Sequence, residues 1–183
     1  GRNRSKASIG LHDFDKVSPP FTYKAVDPKS IRFTPLGGDT PLNLIEILSM
    51  HPKGIAFKHL VKEFPMYPII TDSNARVLSF PPIINGTVTQ VTDETKNLFI
   101  DVTGTQRSSV NNALTLIVTQ LADMGAKIES VTLIEGEKRT ITPTLKPTNL
   151  SLSRDSVNRT LGISLSLDEI DQCLKRSSFG AKA

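Results

Sequence analysis

The pattern of apolar and polar residues predicts short strands in the middle of the chain. Two apolar runs, residues 67–71 and 77–80, flank a turn of short polar residues at 72–74. Such side chains hydrogen-bond to their own backbone in turns, so the two runs are predicted to form a hairpin. Apolar residues at 98–103 and 128–134 predict two further strands.

Apolar residues three and four positions apart predict helices. The clearest helix runs from Val110 to Met124, where Ser108 or Ser109 can cap its start and Gly125 can end it. Ser166 and Glu169 have the spacing of a capping box. Four further helices are predicted, at about residues 41–50, 54–64, 152–161 and 167–176.

Two prolines, Pro143 and Pro147, predict a linker and a domain boundary near residue 145. Residues 1–145 are predicted to form an α+β domain with a mixed or antiparallel sheet packed with helices. Residues 146–183 are predicted to form a short helical segment, too small to fold well alone and therefore incomplete. The chain starts at Gly1 without an initiator Met, so we expect a piece cut from a longer polypeptide.

The composition excludes few classes of protein. The single cysteine, Cys173, rules out a disulfide framework and a cysteine zinc site, which fits a reducing compartment. No apolar run is long enough to span a membrane. The net charge of +4 permits a nucleic-acid partner without requiring one. The basic residues Arg2, Arg4 and Lys6 are expected to lie in a solvated segment or linker.

Known catalytic motifs, such as GxSxG, HExxH and the phosphate-binding loops, are absent from the sequence. The most notable histidine is His12, which lies beside Asp13 and Asp15. Three readings stay open for this group: local turn structure, which we favour, contact with a substrate, or catalysis or metal binding. His51 and His59 are expected at the surface.

A second candidate lies on the predicted strand at residues 98–103. Alternate residues of a strand share a face, so Phe99, Asp101 and Thr103 point the same way, next to Gly104. An aromatic ring, a carboxylate and a hydroxyl beside a glycine could form the wall of a small-molecule pocket. Alternatively, the two polar side chains cap the next loop.

A third candidate lies between residues 77 and 86. Pro81 and Pro82 fix the backbone path, and Ser79 and Asn85 offer short polar groups along it. A rigid backbone with a few polar groups suits a specificity pocket, although a structural turn explains the prolines equally well.

Together these segments resemble a known family, the β subunit of archaeal and eukaryotic phenylalanyl-tRNA synthetase. The resemblance rests on five motifs in order: IGLHDFD at 9–15, PFTY at 20–23, YPIITDS at 67–73, residues 77–85 and FIDVTGT at 99–105. It implies that residues 1–145 form the B3/B4 tRNA-editing domain. Residues 146–183 would then be the N-terminal part of the winged-helix-like B5 domain.

This resemblance implies a proofreading function, the hydrolysis of tyrosine attached by mistake to the phenylalanine tRNA. A synthetic pocket made for phenylalanine rejects one added hydroxyl only modestly, so a second site is needed. The family's site maps onto two catalytic candidates, Asp101 and Thr103, and onto pocket residues Ile69, Ser79, Pro81, Asn85 and Gly104. No nucleophile is evident, so we expect a positioned water, helped by a ribose hydroxyl, to attack the ester.

The resemblance also implies the partners. These are tRNA(Phe) mischarged with tyrosine and the synthetase α subunit in an α2β2 enzyme, without a membrane, in the cytoplasm. ATP and Mg²⁺ are expected only in the full synthetase, and this fragment should edit but not aminoacylate.

Two alternatives remain: a non-catalytic structural or RNA-docking module of the same synthetase, and an unrelated metal-dependent hydrolase that uses His12, Asp13 and Asp15.

Overall fold

The computed structural model describes residues 3–180, and the chain divides into two compact units. The first extends from Gly1 to Thr144 and the second from Leu145 to Ala183. The division falls beside the two prolines that predict a boundary near residue 145. No helix within residues 3–180 combines the length and the apolar character needed to cross a membrane.

The first unit consists of antiparallel sheets and helices, which confirms the predicted α+β class. Its strands are β1 (Ala7–Asp13), β2 (Thr22–Val26), β3 (Arg32–Phe33), β4 (Leu42–Asn43), β5 (Tyr67–Thr71), β6 (Val77–Phe80), β7 (Ile84–Asn85), β8 (Leu98–Gly104), β9 (Val131–Glu135) and β10 (Lys138–Thr142). Its α-helices are α1 (Leu44–Met50), α2 (Pro52–Phe57) and α3 (Arg107–Asp123). A sheet of four strands has the order β2-β5-β6-β7, and three ribbons pair β1 with β8, β3 with β4 and β9 with β10.

The main core lies between the four-stranded sheet and α1. Its fully buried side chains include Leu44 and Ile47 from the helix and Ile69 and Phe80 from the sheet. A second, smaller cluster contains Val17, Ile70 and Leu78, with Phe21 and Phe99 packed against it. Because Phe99 belongs to β8, this second cluster joins the four-stranded sheet to the β1–β8 ribbon.

The predicted hairpin at residues 67–80 is present, and one carboxylate holds its turn. Oδ1 of Asp72 accepts hydrogen bonds from the backbone amides of Asn74 and Arg76. Oδ2 accepts from the Arg76 guanidinium at 2.7 Å and from the amide of Ser18. The pairing shifts register where Ile70 faces Ser79 and Thr71 faces Val77, so Leu78 forms a β-bulge.

Three predicted helix boundaries differ from those in the structure. Helix α1 begins at Leu44 instead of residue 41, since Asn43 and Glu46 form a capping box. Helix α2 ends at Phe57, and a single 3-10 turn follows it. Helix α3 begins at Arg107, so neither Ser108 nor Ser109 caps it.

Arg4 is anchored instead of lying in the solvated segment that its charge suggests. Its guanidinium donates hydrogen bonds to the carbonyls of Pro82 and Ile83 at 2.8 and 2.7 Å, and it lies 4.1 Å above the ring of Phe57. The backbone carbonyl of Lys6 accepts from Thr105. Arg2 lies outside the described residues.

The second unit contains the two predicted helices, α4 (Arg154–Leu161) and α5 (Leu167–Arg176). Ser153 caps the start of α4, and Gly162 ends it with a left-handed backbone at φ 71°. The predicted capping box of Ser166 and Glu169 is present at the start of α5. The assignment of this unit to a winged-helix-like B5 domain stays a prediction.

Candidate active site

The pairing of β1 with β8 brings His12 next to Asp101. The register places Gly10 opposite Asp101 and His12 opposite Phe99, so all four share one face of the ribbon. His12 Nε2 lies 2.7 Å from Asp101 Oδ2. The imidazole is fully buried, and the Asp101 side chain is only 10% exposed. Because an ionised carboxylate can only accept, the Nε2 position carries the proton and donates it.

Gly10 provides the room for this pair. A Cβ atom at Gly10 would lie 2.9 Å from His12 Nε2 and 2.9 Å from Asp101 Cγ, and closer still to a carboxylate oxygen. Any larger residue would therefore displace the carboxylate or the imidazole. The glycine is needed for close approach and not for an unusual backbone angle.

The other ring nitrogen of His12 is also occupied. Nδ1 lies 2.8 Å from the hydroxyl of Thr89, which itself lies 3.2 Å from the carbonyl of Gly86. Thr89 and His12 are 1% and 0% exposed. A hydroxyl, an imidazole and a carboxylate thus form a chain, as in nucleophilic enzymes. However, Thr89 is almost fully buried and its hydroxyl already contacts His12, so we interpret the chain as support for Asp101 and not as an activated nucleophile.

The four-stranded sheet contributes a second set of side chains. Its register places Tyr23, Ile70, Ser79 and Asn85 in one row across β2, β5, β6 and β7. Ser79 is 2% exposed, and its hydroxyl is buried without a hydrogen-bond partner among the described residues. Leaving a buried polar group unpaired costs about 1–3 kcal/mol, so this hydroxyl calls for an explanation such as a ligand.

One packing contact and one electrostatic effect link this row to Asp101. Phe99, two residues before Asp101 on the same face, packs in the cluster that contains Ile70, and its ring centroid lies 4.2 Å from that of Phe21. The pKa of Tyr23 is raised above its usual value, first by desolvation of the hydroxyl and second by the charge of Asp101. The carboxylate of Asp101 therefore lies near enough for its charge to act on the Tyr23 phenol, although desolvation has the larger effect.

We call this region the inter-sheet site, defined by Tyr23, Ile70, Ser79, Phe99 and Asp101. It combines apolar walls with a few polar groups, the usual composition of a small-molecule pocket. Two open clefts lie elsewhere in the first unit, with volumes of about 270 and 550 Å³. Neither is lined by Ser79 or Asp101, although the larger one reaches Asn85 and Thr89. We take the inter-sheet site as the candidate because it contains Ser79 and Asp101, two of the site residues that the sequence predicts.

The remaining predicted site residues lie in different surroundings. Thr103 shares the face of Asp101, and its hydroxyl lies 3.0 Å from that of Ser8. Asn85 donates to the carbonyl of Leu11, and Pro81 is buried in the turn after β6. Thr103 therefore remains close to the inter-sheet site, whereas the side chain of Asn85 is engaged with β1.

Ile69 and Gly104 have structural roles in the places where the sequence predicts pocket residues. Ile69 is fully buried in the main core, and its neighbour Ile70 packs beside Phe99 instead. A Cβ atom at Gly104 would lie 3.0 Å from Cα of Ala7 and from the side chain of Val110. Gly104 therefore lets β8 approach the start of β1 and α3 closely.

The hypothesis of a metal site at His12, Asp13 and Asp15 is wrong. Asp13 accepts from the hydroxyl of Thr95 at 2.8 Å, and Asp15 accepts from the amide of Asn97. The three side chains thus face different partners. Within residues 3–180, no three His, Cys, Asp or Glu side chains lie close enough together to hold a metal ion.

Sequence reasoning missed β1 and therefore the contact between His12 and Asp101. A signal was available, because small or polar residues alternate with Ala7, Ile9 and Leu11 over this segment. Thr89 carries no comparable signal. Its position depends on a 3-10 turn that brings it under His12 from 77 residues away.

Comparison with known proteins agrees with this fold and identifies its class. The family model of the B3/4 domain matches residues 4–120, and the chain belongs to this family. Over its whole length it is also similar to proteins named phenylalanine–tRNA ligase β subunit. It is 46% identical to that of Methanothrix thermoacetophila and 50% identical to that of Methanosarcina barkeri. The chain spans 34% of the length of each of these relatives.

A solved structure is similar over nearly the whole chain. It is the crystal structure of an N-terminal fragment of the phenylalanyl-tRNA synthetase β subunit from Pyrococcus horikoshii. The TM-score is 0.90 at 42% sequence identity, over 97% of this chain and 51% of that one. The resemblance that the five motifs indicate is thereby confirmed.

Proposed function

We propose that this chain is the editing module of a phenylalanine–tRNA ligase β subunit and that it hydrolyses tyrosine from mischarged tRNA(Phe). Its relatives are named as subunits of this ligase, an aminoacyl-tRNA synthetase that acts in protein biosynthesis. The observation that carries the editing activity is the inter-sheet site, where the unpaired hydroxyl of Ser79 and the carboxylate of Asp101 accompany apolar walls.

The site has the chemistry needed to distinguish tyrosine from phenylalanine. The ring of Phe99 and the aliphatic side chain of Ile70 form apolar surfaces that suit an aromatic substrate. Among the described residues, none donates a hydrogen bond to Oδ1 of Asp101, which is free to accept one from a phenol or an α-ammonium group. If the phenol is the donor, phenylalanine leaves Oδ1 of Asp101 unpaired, and such a loss discriminates far more strongly than one extra methylene does.

The reaction is the hydrolysis of an ester. A water molecule attacks the carbonyl carbon of the tyrosyl ester, the bond to the terminal ribose oxygen breaks, and that oxygen takes up a proton. The products are free tyrosine and uncharged tRNA. Asp101 and Thr103 position the substrate. Because no nucleophile is evident among the site residues, a ribose hydroxyl of the tRNA helps to orient the water.

In the complete synthetase, this module would work together with other subunits and with tRNA. Its partners would be the synthetase α subunit, in an α2β2 enzyme, and tRNA(Phe), and it would act in the cytoplasm. Aminoacylation with ATP and Mg²⁺ would belong to the complete enzyme. The second candidate function is a non-catalytic structural or RNA-docking module of the same synthetase, which the net charge of +4 permits.

Deacylation assays separate the two functions. Purified chain is mixed with tRNA(Phe) charged with radiolabelled tyrosine or phenylalanine, and release of the amino acid is followed. We expect tyrosine to be released faster than phenylalanine, and Asp101→Asn to slow this release about 100-fold or more. Asp123→Asn, at an exposed carboxylate near the end of α3, is the matched control and should be as active as wild type.

Retained tRNA binding without any release of tyrosine would favour the docking module. Equal release of both amino acids would contradict the role of the inter-sheet site in specificity.

A further inference from the structure

His12 connects the two sides of the inter-sheet site. Its Nε2 donates to Asp101 on β8, and its Nδ1 meets Thr89, whose hydroxyl lies 3.2 Å from Gly86 O and 3.5 Å from Leu78 O. Leu78 immediately precedes Ser79 on β6. A continuous chain of polar contacts thus runs from the strand of Asp101 to the strand of Ser79.

We propose that His12 is a positioning residue for editing, one that fixes the orientation of the Asp101 carboxylate and its distance from the strand of Ser79. This inference rests on the proposed function. His12 does not touch the substrate, since it is fully buried. It acts through Asp101.

The carboxylate depends on His12 because it has no other described support. Among the described residues, only His12 Nε2 donates a hydrogen bond to the side chain of Asp101, and this bond engages Oδ2 alone. Gly10 leaves a gap into which the carboxylate fits beside the ring. With Oδ2 held in this way, Oδ1 has a fixed direction, and a reactive geometry can lose about 100-fold in rate when it is misplaced by about 1 Å.

Thr89 fixes the imidazole in turn. The contact at 2.8 Å prevents rotation of the ring, so Nε2 stays directed towards Asp101. Thr89 itself ends a 3-10 turn at Thr87–Thr89, and its amide donates to Gly86. The support of Asp101 therefore reaches into the backbone of the four-stranded sheet, to which β6 and β7 belong.

Two amide substitutions separate the two contacts of the ring. In His12→Gln the amide nitrogen can take the place of Nε2 and donate to Asp101, whereas the contact with Thr89 is lost. In His12→Asn the amide oxygen can take the place of Nδ1 and accept from Thr89, but the shorter side chain cannot donate to Asp101. Both remove a buried aromatic ring, so a purely structural role of His12 predicts similar losses from both.

The experiment measures kcat and KM for tyrosyl-tRNA(Phe) deacylation, with unfolding midpoints for every variant. We expect His12→Asn to lower kcat about 100-fold with little change in KM. His12→Gln should stay within about tenfold of wild type, because it restores the donor to Asp101. In an Asp101→Asn background, His12→Asn should change kcat less than about twofold, since both act through one group. Equal losses in the two His12 variants, or additive losses in the double variant, would overturn the inference.

A second readout does not depend on editing activity. In ¹⁵N spectra of the wild-type chain, His12 should show a protonated Nε2, and this signature should change in Asp101→Asn but not in the control Asp123→Asn. If wild type shows the signature but releases no tyrosine, the proposed function fails while the contact stands. If the signature is insensitive to Asp101→Asn, the positioning role of His12 fails whatever the activity.

Discussion

Two polar residues of the inter-sheet site differ in how their polar groups are satisfied. Asp101 has a donor in His12, whereas the hydroxyl of Ser79 has no partner in the described part of the chain. A satisfied buried group stabilises the fold, while an unsatisfied one lowers its stability. Removing the hydroxyl of Ser79 should therefore weaken substrate binding without lowering the stability of the protein.

The variant Ser79→Ala should leave the free energy of unfolding unchanged or raise it by up to about 1 kcal/mol, because it removes an unpaired buried oxygen. Its deacylation of tyrosyl-tRNA should fall. Thr89→Val is the matched control, since it removes a buried hydroxyl that does have partners. It should lose about 1–3 kcal/mol in urea denaturation. A loss of this size in Ser79→Ala would mean that its hydroxyl is bonded in the free protein.

Gly10→Ala should disturb the pair of Asp101 and His12 directly. The added methyl would lie within 2.9 Å of His12 Nε2, so we expect a loss of about 1–3 kcal/mol in stability from overpacking, together with a fall in deacylation. Gly180→Ala, where an added Cβ meets nothing within 4 Å, serves as the control. Unchanged deacylation in Gly10→Ala would show that the close contact between His12 and Asp101 is not needed for activity.

Among the elements, the β5–β6 hairpin has the clearest dependence on pH. Burial of Asp72 by itself raises its pKa. The hydrogen bonds from the side chain and amide of Arg76 and from the amide of Ser18, with the guanidinium charge, outweigh this effect and leave the pKa below its usual value. Since the folded pKa is lower than the unfolded value of about 3.9, ionised Asp72 stabilises the fold above that pH. This contribution is lost as the pH falls through the folded pKa.

Asp72→Asn should accordingly be less stable than wild type at pH 7, and the difference should shrink as the pH is lowered below about 4. Urea denaturation at a series of pH values measures it. Asp123→Asn, at an exposed carboxylate, should show no comparable difference. A difference that stays constant down to low pH would contradict the role of the charge.

Prediction from the sequence succeeded for elements with a complete local signal. The hairpin around Asp72, the helix α3 and the capping box of Ser166 each depend on residues within a few positions of one another. The start of α1 was placed three residues early, because Pro41 resembles a first helical residue, although Asn43 caps more completely.

For the candidate site, the sequence identified side chains but not their partners. Asp101 and Ser79 were recognisable from strand alternation and neighbouring prolines. The support of Asp101 comes from His12, 89 residues away, and His12 is in turn held by Thr89, 77 residues away from it. Such contacts follow from the pairing of β1 with β8, which no local pattern specifies. Ile69 and Ile70, which belong to different clusters, show why such assignments depend on register, since a shift of one residue along a strand exchanges its two faces.

At the scale of the whole molecule, both hydrophobic clusters lie within the first unit, between Val17 and Ile84 apart from Phe99. A chain shortened to residues 1–144 should therefore keep its unfolding free energy within about 0.5 kcal/mol and keep its deacylation of tyrosyl-tRNA. Thermal denaturation and the deacylation assay check the two parts. A large loss of stability would show that the first unit needs the second in order to fold.

The central claim is that tyrosine binds between the two sheets, against Ser79 and Asp101. The most direct test is a crystal structure of this chain with a non-hydrolysable tyrosyl-adenosine analogue, in which an amide replaces the ester. The claim predicts the tyrosyl group beside Phe99 and Ile70, with a polar atom within about 3 Å of Asp101 Oδ1. A tyrosyl group bound in the cleft lined by Ile9, Leu36 and Val91, with Ser79 and Asp101 untouched, would contradict it.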